Sequence, residues 1–397
     1  MIRKKGQTIR LDTPNTTLVI KADTAEYLYY GKKLVSAGGF EALSPTPRKI
    51  FSQYGENAYT EYGILIANSD GGFSTCFSFS KSKILTEKPE IEGLPSSYGE
   101  GKTLELKYID APTKVCLYLY YTVFDDCDAI AVSSRIVNQA KKEIRVRRLA
   151  SLQLDLLGDY SVVTFEGAWA RERQKISRDI VRGVYYNDSK KGMSSHSRNP
   201  FVIAEGEEGV YGFNLVYSGN HKEAFERDEQ GRTRALVGMN DFMFSWKLAP
   251  GETFCAPEAV MCYAPSEDEL SLSMHAFVAE HIVRGKWKKK ERPVLVNNWE
   301  GTYFDFNEEK LLAIARAAKD AGAELFVLDD GWFGKRDDDT SSLGDWTDNA
   351  DKTGGGLANL ADKIREPGLG FGIWVEAEMS SEDSELYRRH PNFAMKA

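Results

Sequence analysis

The sequence predicts a multidomain β plus α/β protein, in which a large all-β domain precedes the opening strands of a barrel-type β/α domain. Three observations predict it. From residue 8 to about 263, short β-type runs are separated by Gly, Pro, Asn and Asp. From Pro293 onward, apolar runs of strand length alternate with helical periodicity. Each of these later runs ends in aromatics and acids, and strand carboxyl ends are where barrel enzymes carry their sites.

At 397 residues the chain exceeds the usual size of one hydrophobic core, so two domains are expected. Its 51 Lys plus Arg against 59 Asp plus Glu leave a formal charge of -8. That balance has no basic surplus for nucleic acid or an anionic membrane, and a small neutral polar substrate suits it better. Met1-Ile2-Arg3-Lys4-Lys5 opens no continuous apolar segment of the signal-peptide kind, and no run reaches transmembrane length. Cys76, Cys116, Cys127, Cys255 and Cys262 show no Cys-x-x-Cys spacing, which points to free thiols in a reducing cytoplasm rather than bridges or zinc. His196, His221, His275, His281 and His390 share no ligand spacing either, so no structural metal is expected.

The β domain is expected over residues 1–264, with runs such as Thr17-Leu18-Val19-Ile20, Gly63-Ile64-Leu65-Ile66 and Lys114 to Tyr121. The Ala129 to Val137 run ends at Asn138, and Lys142 to Leu149 comes next as the second arm of a hairpin would. So many strands predict a large two-sheet sandwich. A helical linker is expected over residues 265–292, because Ser266 and Glu269 form a capping-box pattern and Leu270, Met274, Phe277, Val278 and Ile282 recur at helical spacing. The Lys286 to Arg292 charge run reads as a solvated connector.

Residues 293–397 are expected to be an incomplete (β/α)8 barrel. Val294-Leu295-Val296 ends at Asn297-Asn298-Trp299-Glu300, and a helix carrying Leu311, Leu312, Ile314, Ala315 and Ala318 runs from Asn307 to Gly322. The second strand, Leu325 to Leu328, is continuously apolar, so both of its faces are expected to be covered. It ends in Asp329-Asp330-Gly331-Trp332-Phe333-Gly334. A lone Asp-Gly would be a turn cap. Adjacent carboxylates flanked by aromatics at a strand end favour a site, since crowding two charges costs several kcal/mol unless donors or a ligand use them. The third strand, Gly370 to Met379, comes after a helix from about Leu357 to Arg365. Pro293 to the last residue is roughly a hundred residues, against about 250 for a whole barrel.

Trp299, Trp332, Trp346 and Trp374 recur near Glu300, Asp329, Asp330, Asp345, Glu376 and Glu378. Indole faces pack against sugar C–H groups and carboxylates bind hydroxyls, so this mixture suits a pyranose. For any single Trp a core role is the stronger reading. Two of these acids would suffice for a glycosidase pair, without the sequence pattern saying which. A different enzyme class, with Mg2+ held by Asp329, Asp330, Glu376 and Glu378, stays open, as does a sugar-binding protein without catalysis.

The blocks Asn297-Asn298-Trp299-Glu300, Thr302-Tyr303-Phe304-Asp305-Phe306, Leu328 to Gly334 and Trp374-Val375-Glu376-Ala377-Glu378-Met379 resemble the signatures of bacterial α-galactosidases of glycoside hydrolase family 36. Upstream, Gly167 to Arg173, Ser194-Ser195-His196, Asn199-Pro200-Phe201, Tyr211 to Asn220 and Phe244-Ser245-Trp246-Lys247 are similar to that family as well. The resemblance implies an N-terminal β-supersandwich, the first three strands of a catalytic TIM barrel, and retaining hydrolysis of terminal α-galactose from melibiose- and raffinose-type sugars. It implies no cofactor, and the complete form is expected to be a homo-oligomer, dimer or tetramer, in the cytoplasm that the cysteine pattern points to. By it Asp329 and Asp330 bind galactose hydroxyls, and Trp299 and Trp374 shape the sugar subsite. The nucleophile and acid/base, both Asp, are expected beyond Ala397, so no catalytic residue is assigned and the 397 residues alone are expected to be inactive. The alternatives are α-N-acetylgalactosaminidase activity or a galactoside-binding fragment. Ala377 stands where the family commonly has Pro, and Ala58-Tyr59-Thr60-Glu61 where it has Asp-Phe-Arg-Glu, a segment that can reach a neighbouring subunit.

Overall fold

The computed structural model describes residues 1–35, 39–40, 47–55, 60–194 and 197–395. Ala58, Tyr59, Ser195, His196 and Ala397 lie outside the described residues. The chain separates into two compact units, Met1–Lys288 and Lys289–Ala397.

The first unit is built from antiparallel sheets. Ile2–Lys5, Thr8–Asp12, Thr16–Lys21 and Glu26–Lys32 form a four-stranded meander at the N-terminus. A six-stranded sheet has Ile144–Leu157 as its longest member, paired with Arg232–Met239 along one part and with Trp246–Leu248 and Ile64–Ala67 along another. The ten-stranded sheet is centred on Glu258–Ala264, which pairs with Gly209–Val216 on one side and Ile130–Asn138 on the other. All seven residues of that central strand are buried. Side chains from all three sheets, among them Ile9, Leu104, Phe213 and Val237, meet in one core.

The hairpin expected at Asn138 is not formed. Ile130–Asn138 pairs within the ten-stranded sheet and Ile144–Leu157 within the six-stranded one. The chain turns a corner between sheets instead, and Asn138 holds the corner. Its fully buried carboxamide donates to the carbonyls of Lys142 (2.9 Å) and Leu248 (2.8 Å) and accepts from the Ala140 amide at 2.9 Å. Both arms carry alternating apolar residues because both face the core, and alternation does not say which partner a strand takes.

The helix Glu267–Phe277 starts as expected, with the Ser266 hydroxyl accepting from the Glu269 amide at 3.3 Å. Its continuation Val278–Ile282 is a π-helical turn. It is no free linker: Leu270, Met274 and Phe277 are buried against Phe124, Ala131, Val210 and Val260 of the ten-stranded sheet. Gly212 gives it room, since a Cβ there would lie 2.9 Å from a Leu270 methyl.

The second unit is a parallel sheet in the order Leu295–Asn297, Leu325–Leu328, Gly370–Ile373. The helix Glu308–Asp320 is capped by Asn307, whose side chain accepts from the Lys310 amide, and Leu357–Arg365 forms a second helix. Leu311, Ala315, Leu360 and Ile364 from these helices pack on Phe326 and Leu328. On the middle strand Phe326 and Leu328 are buried and Leu325 and Val327 half-buried, while Leu295 and Ile373 of the flanking strands are exposed. The third strand is also shorter than expected, ending at Ile373 rather than running to Met379.

Candidate functional site

The three parallel strands pair in register, so Asn297, Val327 and Gly372 stand side by side and the residues after them emerge at one edge. The first strand ends in two asparagines that reach to the second. Asn298, 1% exposed, accepts from the Asp329 amide at 2.8 Å and donates to the Thr302 hydroxyl at 2.9 Å. Asn297 accepts from the Trp299 amide at 2.7 Å and donates through Nδ2 to Asp329 Oδ2. Asp329 Oδ1 accepts from the Asp330 amide at 2.7 Å. Each oxygen of this half-buried carboxylate is thus engaged by a named donor and retains a lone-pair direction for another.

Asp330 is held differently. Its Oδ1 accepts from the Gly331 amide (2.7 Å) and from Arg336 Nε (2.9 Å), and its Oδ2 accepts from Arg336 Nη2 (2.8 Å). Acid and guanidinium are both buried, at 5% and 3% exposure. Arg336 Nη1 donates onward to the Ser341 carbonyl at 2.9 Å, and the guanidinium lies 5.5 Å from the Phe304 ring centre. Burial opposes the Arg336 charge, but Asp330 outweighs it and holds the guanidinium above its ordinary range. A bidentate pair of this kind fixes the acid in orientation as well as charge. Gly331 makes the turn possible: its φ is +96°, and a Cβ there would meet the Phe304 ring at 3.0 Å.

The tryptophans divide into two groups. Trp332 is buried and donates its indole N–H to the Trp374 carbonyl at 2.9 Å, while Trp346 packs on Trp332 and Phe333. Trp332 is a core residue, and Trp346 is a partly buried residue packed on it. Trp299 and Trp374 remain half-buried; Trp299 is braced edge-on by Tyr303 and Phe304 at 5.2 and 5.0 Å. The Trp374 amide donates to the Leu328 carbonyl at 2.8 Å, which places that residue directly beside the start of the acid pair.

Asp345 is a helix cap: its two oxygens accept from the Glu385 and Leu386 amides at 2.9 and 3.0 Å. Glu300 is exposed and accepts from the Tyr303 hydroxyl at 3.1 Å. Glu376 is pushed above its ordinary range by burial, then by Glu378 and Asp330. Among the described residues, Asp329, Asp330, Glu376 and Glu378 do not bring three ligand oxygens within 4.8 Å of one another, so their arrangement is not a cage for a hard divalent ion.

Arg336, Asn297 and Asn298 complete the arrangement, and sequence reasoning gave none of them a role. A signal for Arg336 was present: two adjacent acids at a buried strand end require a counter-charge, and it is the next arginine along the same loop.

A family model for the glycosyl hydrolase family 36 N-terminal domain matches residues 23–249, and the melibiase model matches residues 253–397. The chain belongs to glycosyl hydrolase family 36. Among its family 36 relatives, alpha-galactosidase Mel36A of Lactobacillus acidophilus is 41% identical over 359 residues, covering 87% of this chain and 49% of that protein. The crystal structure of the family 36 α-galactosidase AgaB of Geobacillus stearothermophilus matches with a TM-score of 0.94 at 35% identity, covering 100% of this chain and 59% of the other. A variant of AgaA from the same organism, solved in complex with raffinose, matches with a TM-score of 0.93 at 36% identity, covering 98% and 59%. The chain therefore spans about half the length of the curated relatives it matches. Its fold is the family 36 one, an N-terminal β-supersandwich followed by a partial barrel region.

Proposed function

We propose that the complete protein is a retaining α-galactosidase, acting on terminal α-galactose of melibiose- and raffinose-type sugars. The observation that carries this reading is the acid pair, Asp329 tied by Asn297 and Asp330 clamped by Arg336, beside two half-exposed tryptophans at strand ends of a family 36 chain. In it, Asp329 and Asp330 bind sugar hydroxyls while Trp299 and Trp374 wall the subsite. Asp329 offers the freer lone pairs and takes the larger share of ligand contact. Asp330 sets the position of its neighbour and the charge of the pocket floor. The bond-breaking carboxylates belong to later barrel strands of the complete protein, and the 397 residues alone do not turn substrate over.

Residues 1–264 form the β-supersandwich, residues 265–292 the helical linker after it and residues 293–397 the opening of the catalytic barrel, in a cytoplasmic homo-oligomer. All five cysteines are free thiols, and among the described residues no helix is long and apolar enough to cross a membrane. The test uses the complete enzyme with an aryl α-galactoside, followed by proton NMR of the first sugar released. The α-anomer is expected. Initial β-galactose overturns retention, and no hydrolysis at all overturns the activity.

A further inference from the structure

In the first unit, Asp126, Cys127 and His281 bring a carboxylate oxygen, a sulfur and an imidazole nitrogen within 4.8 Å of one another. The first two lie in the turn after Val115–Phe124, and His281 lies in the π-helical turn Val278–Ile282. Such turns inside helices recur at functional sites. His281 is 5% exposed and fixed on both sides, with its ring 4.0 Å from the Phe124 ring and 5.5 Å from the Phe277 ring.

The hydrogen bonding is arranged as a metal ligand requires. Nδ1 lies 2.9 Å from the Tyr98 carbonyl, an obligate acceptor, so Nδ1 carries the proton. A backbone carbonyl on one imidazole nitrogen is the usual outer support for ligation through the other. Gly99 permits the close approach, since a Cβ there would lie 3.1 Å from Nδ1. Nε2 then turns its lone pair toward Asp126 Oδ1, 2.9 Å away. Two acceptors face each other at that distance, and a proton or a metal cation must sit with them. Neighbouring Asp128 is not available, being committed to the Thr13 hydroxyl and the Asn15 amide, both at 2.7 Å. A cleft of about 630 Å3 is lined in part by Asp126 and Cys127.

We infer that Asp126, Cys127 and His281 form a binding site for a zinc-class divalent cation. One nitrogen, one sulfur and one oxygen suit Zn2+ and not Mg2+ or Ca2+, and three protein ligands leave a fourth tetrahedral position for water. Binding exchanges the Cys127 S–H proton, released to solvent, for an S–Zn bond. The thiolate, not the thiol, is the ligand, so uptake of the ion releases one proton and is favoured as pH rises. The ion would staple the helix after the sandwich to the turn after Val115–Phe124.

The test loads the purified 397-residue chain with Zn2+ by equilibrium dialysis, and with Co2+ for spectroscopy. One equivalent of zinc is expected at micromolar free metal, with a near-ultraviolet thiolate-to-cobalt band. The band should vanish in Cys127→Ser and persist in Cys76→Ser, which removes the exposed thiol. Asp126→Asn keeps the size of an exposed side chain and a polar atom toward His281 while removing the carboxylate, and it should weaken zinc binding about tenfold or more. If Cys127→Ser does not fold, Asp126→Asn and Cys76→Ser decide. The site is overturned if the chain takes up no zinc, if the band disappears with Cys76, or if Asp126→Asn binds as the parent does. In the first case His281 and Asp126 are a plain hydrogen-bonded pair.

Discussion

Two neighbouring aspartates of the acid pair differ in what their removal breaks. On the proposed assignment, Asp329→Asn in the complete protein should lose charge-assisted bonds to sugar hydroxyls, each worth roughly 1.5 to 3 kcal/mol, so kcat/KM should fall about tenfold or more with little change in melting temperature. Asp330→Asn should lower kcat/KM and also lower the melting temperature, because it leaves the buried Arg336 without its carboxylate, and breaking a buried pair costs about 3–5 kcal/mol. Steady-state kinetics beside calorimetry separates the two. Equal thermal loss in both variants would show that Arg336 does not discriminate between them. A second residue-scale prediction concerns His221, fully buried with Nδ1 2.9 Å from Glu223 and Nε2 3.2 Å from the Arg198 carbonyl. Burial opposes its charge, but two acceptors and above all Glu223 hold it protonated above its ordinary range. A raised folded value means the contribution to stability is complete below about pH 6.5 and is lost as pH rises through that raised value. Urea midpoints between pH 6 and 9 should therefore fall with pH in the parent and lose that slope in His221→Gln.

At the scale of elements, the helix Glu267–Phe277 is the feature whose placement matters most. Leu270 is fully buried against the sheet, so Leu270→Ala should cost about 2–5 kcal/mol in the first unit, measured by denaturant unfolding. A loss under about 0.5 kcal/mol would mean the helix sits loosely. The helix itself was legible: the Ser266 cap and the Leu270, Met274, Phe277 spacing fix where it starts and which face is apolar. Its partner was not, since an apolar stripe does not name what it packs on. The same limit explains Asn138. Strand content around it was plain in the alternation, but register and partner are set by contacts far apart in sequence. In the middle strand of the parallel sheet, Leu325 to Leu328 reads as apolar on both faces, and the helices Glu308–Asp320 and Leu357–Arg365 cover the face carrying Phe326 and Leu328.

For the whole molecule, each unit has its own core: Phe306, Phe326 and Leu360 gather in the second, and Ile9, Phe213 and Val237 in the first. Residues 1–288 produced alone should therefore unfold cooperatively with a fixed tertiary spectrum. Residues 289–397 alone, with Leu295 and Ile373 exposed beside unpaired strand edges, should associate at micromolar concentration. Near-ultraviolet circular dichroism and sedimentation check both. A molten 1–288 would show that its core depends on residues beyond Lys288. Of the site, the acid pair and its aromatics were readable because charge beside a buried strand end is costly. The clamp was less so, because Arg336 acts through a loop whose course the sequence pattern does not set.

The central position of Glu258–Ala264 has a consequence for how the chain is made. This strand joins Ile130–Asn138 to Gly209–Val216, so the two halves of the ten-stranded sheet have no bridge until it exists. A ribosome adding about 5–20 residues per second needs on the order of 6–25 s to travel from Asn138 to Ala264. For that interval the strand edge at Ala131 and Val132 waits open, and nascent chains on one messenger present the same open edge to each other. Fidelity of synthesis therefore rests on keeping neighbouring nascent chains apart until the last strand of the sheet emerges.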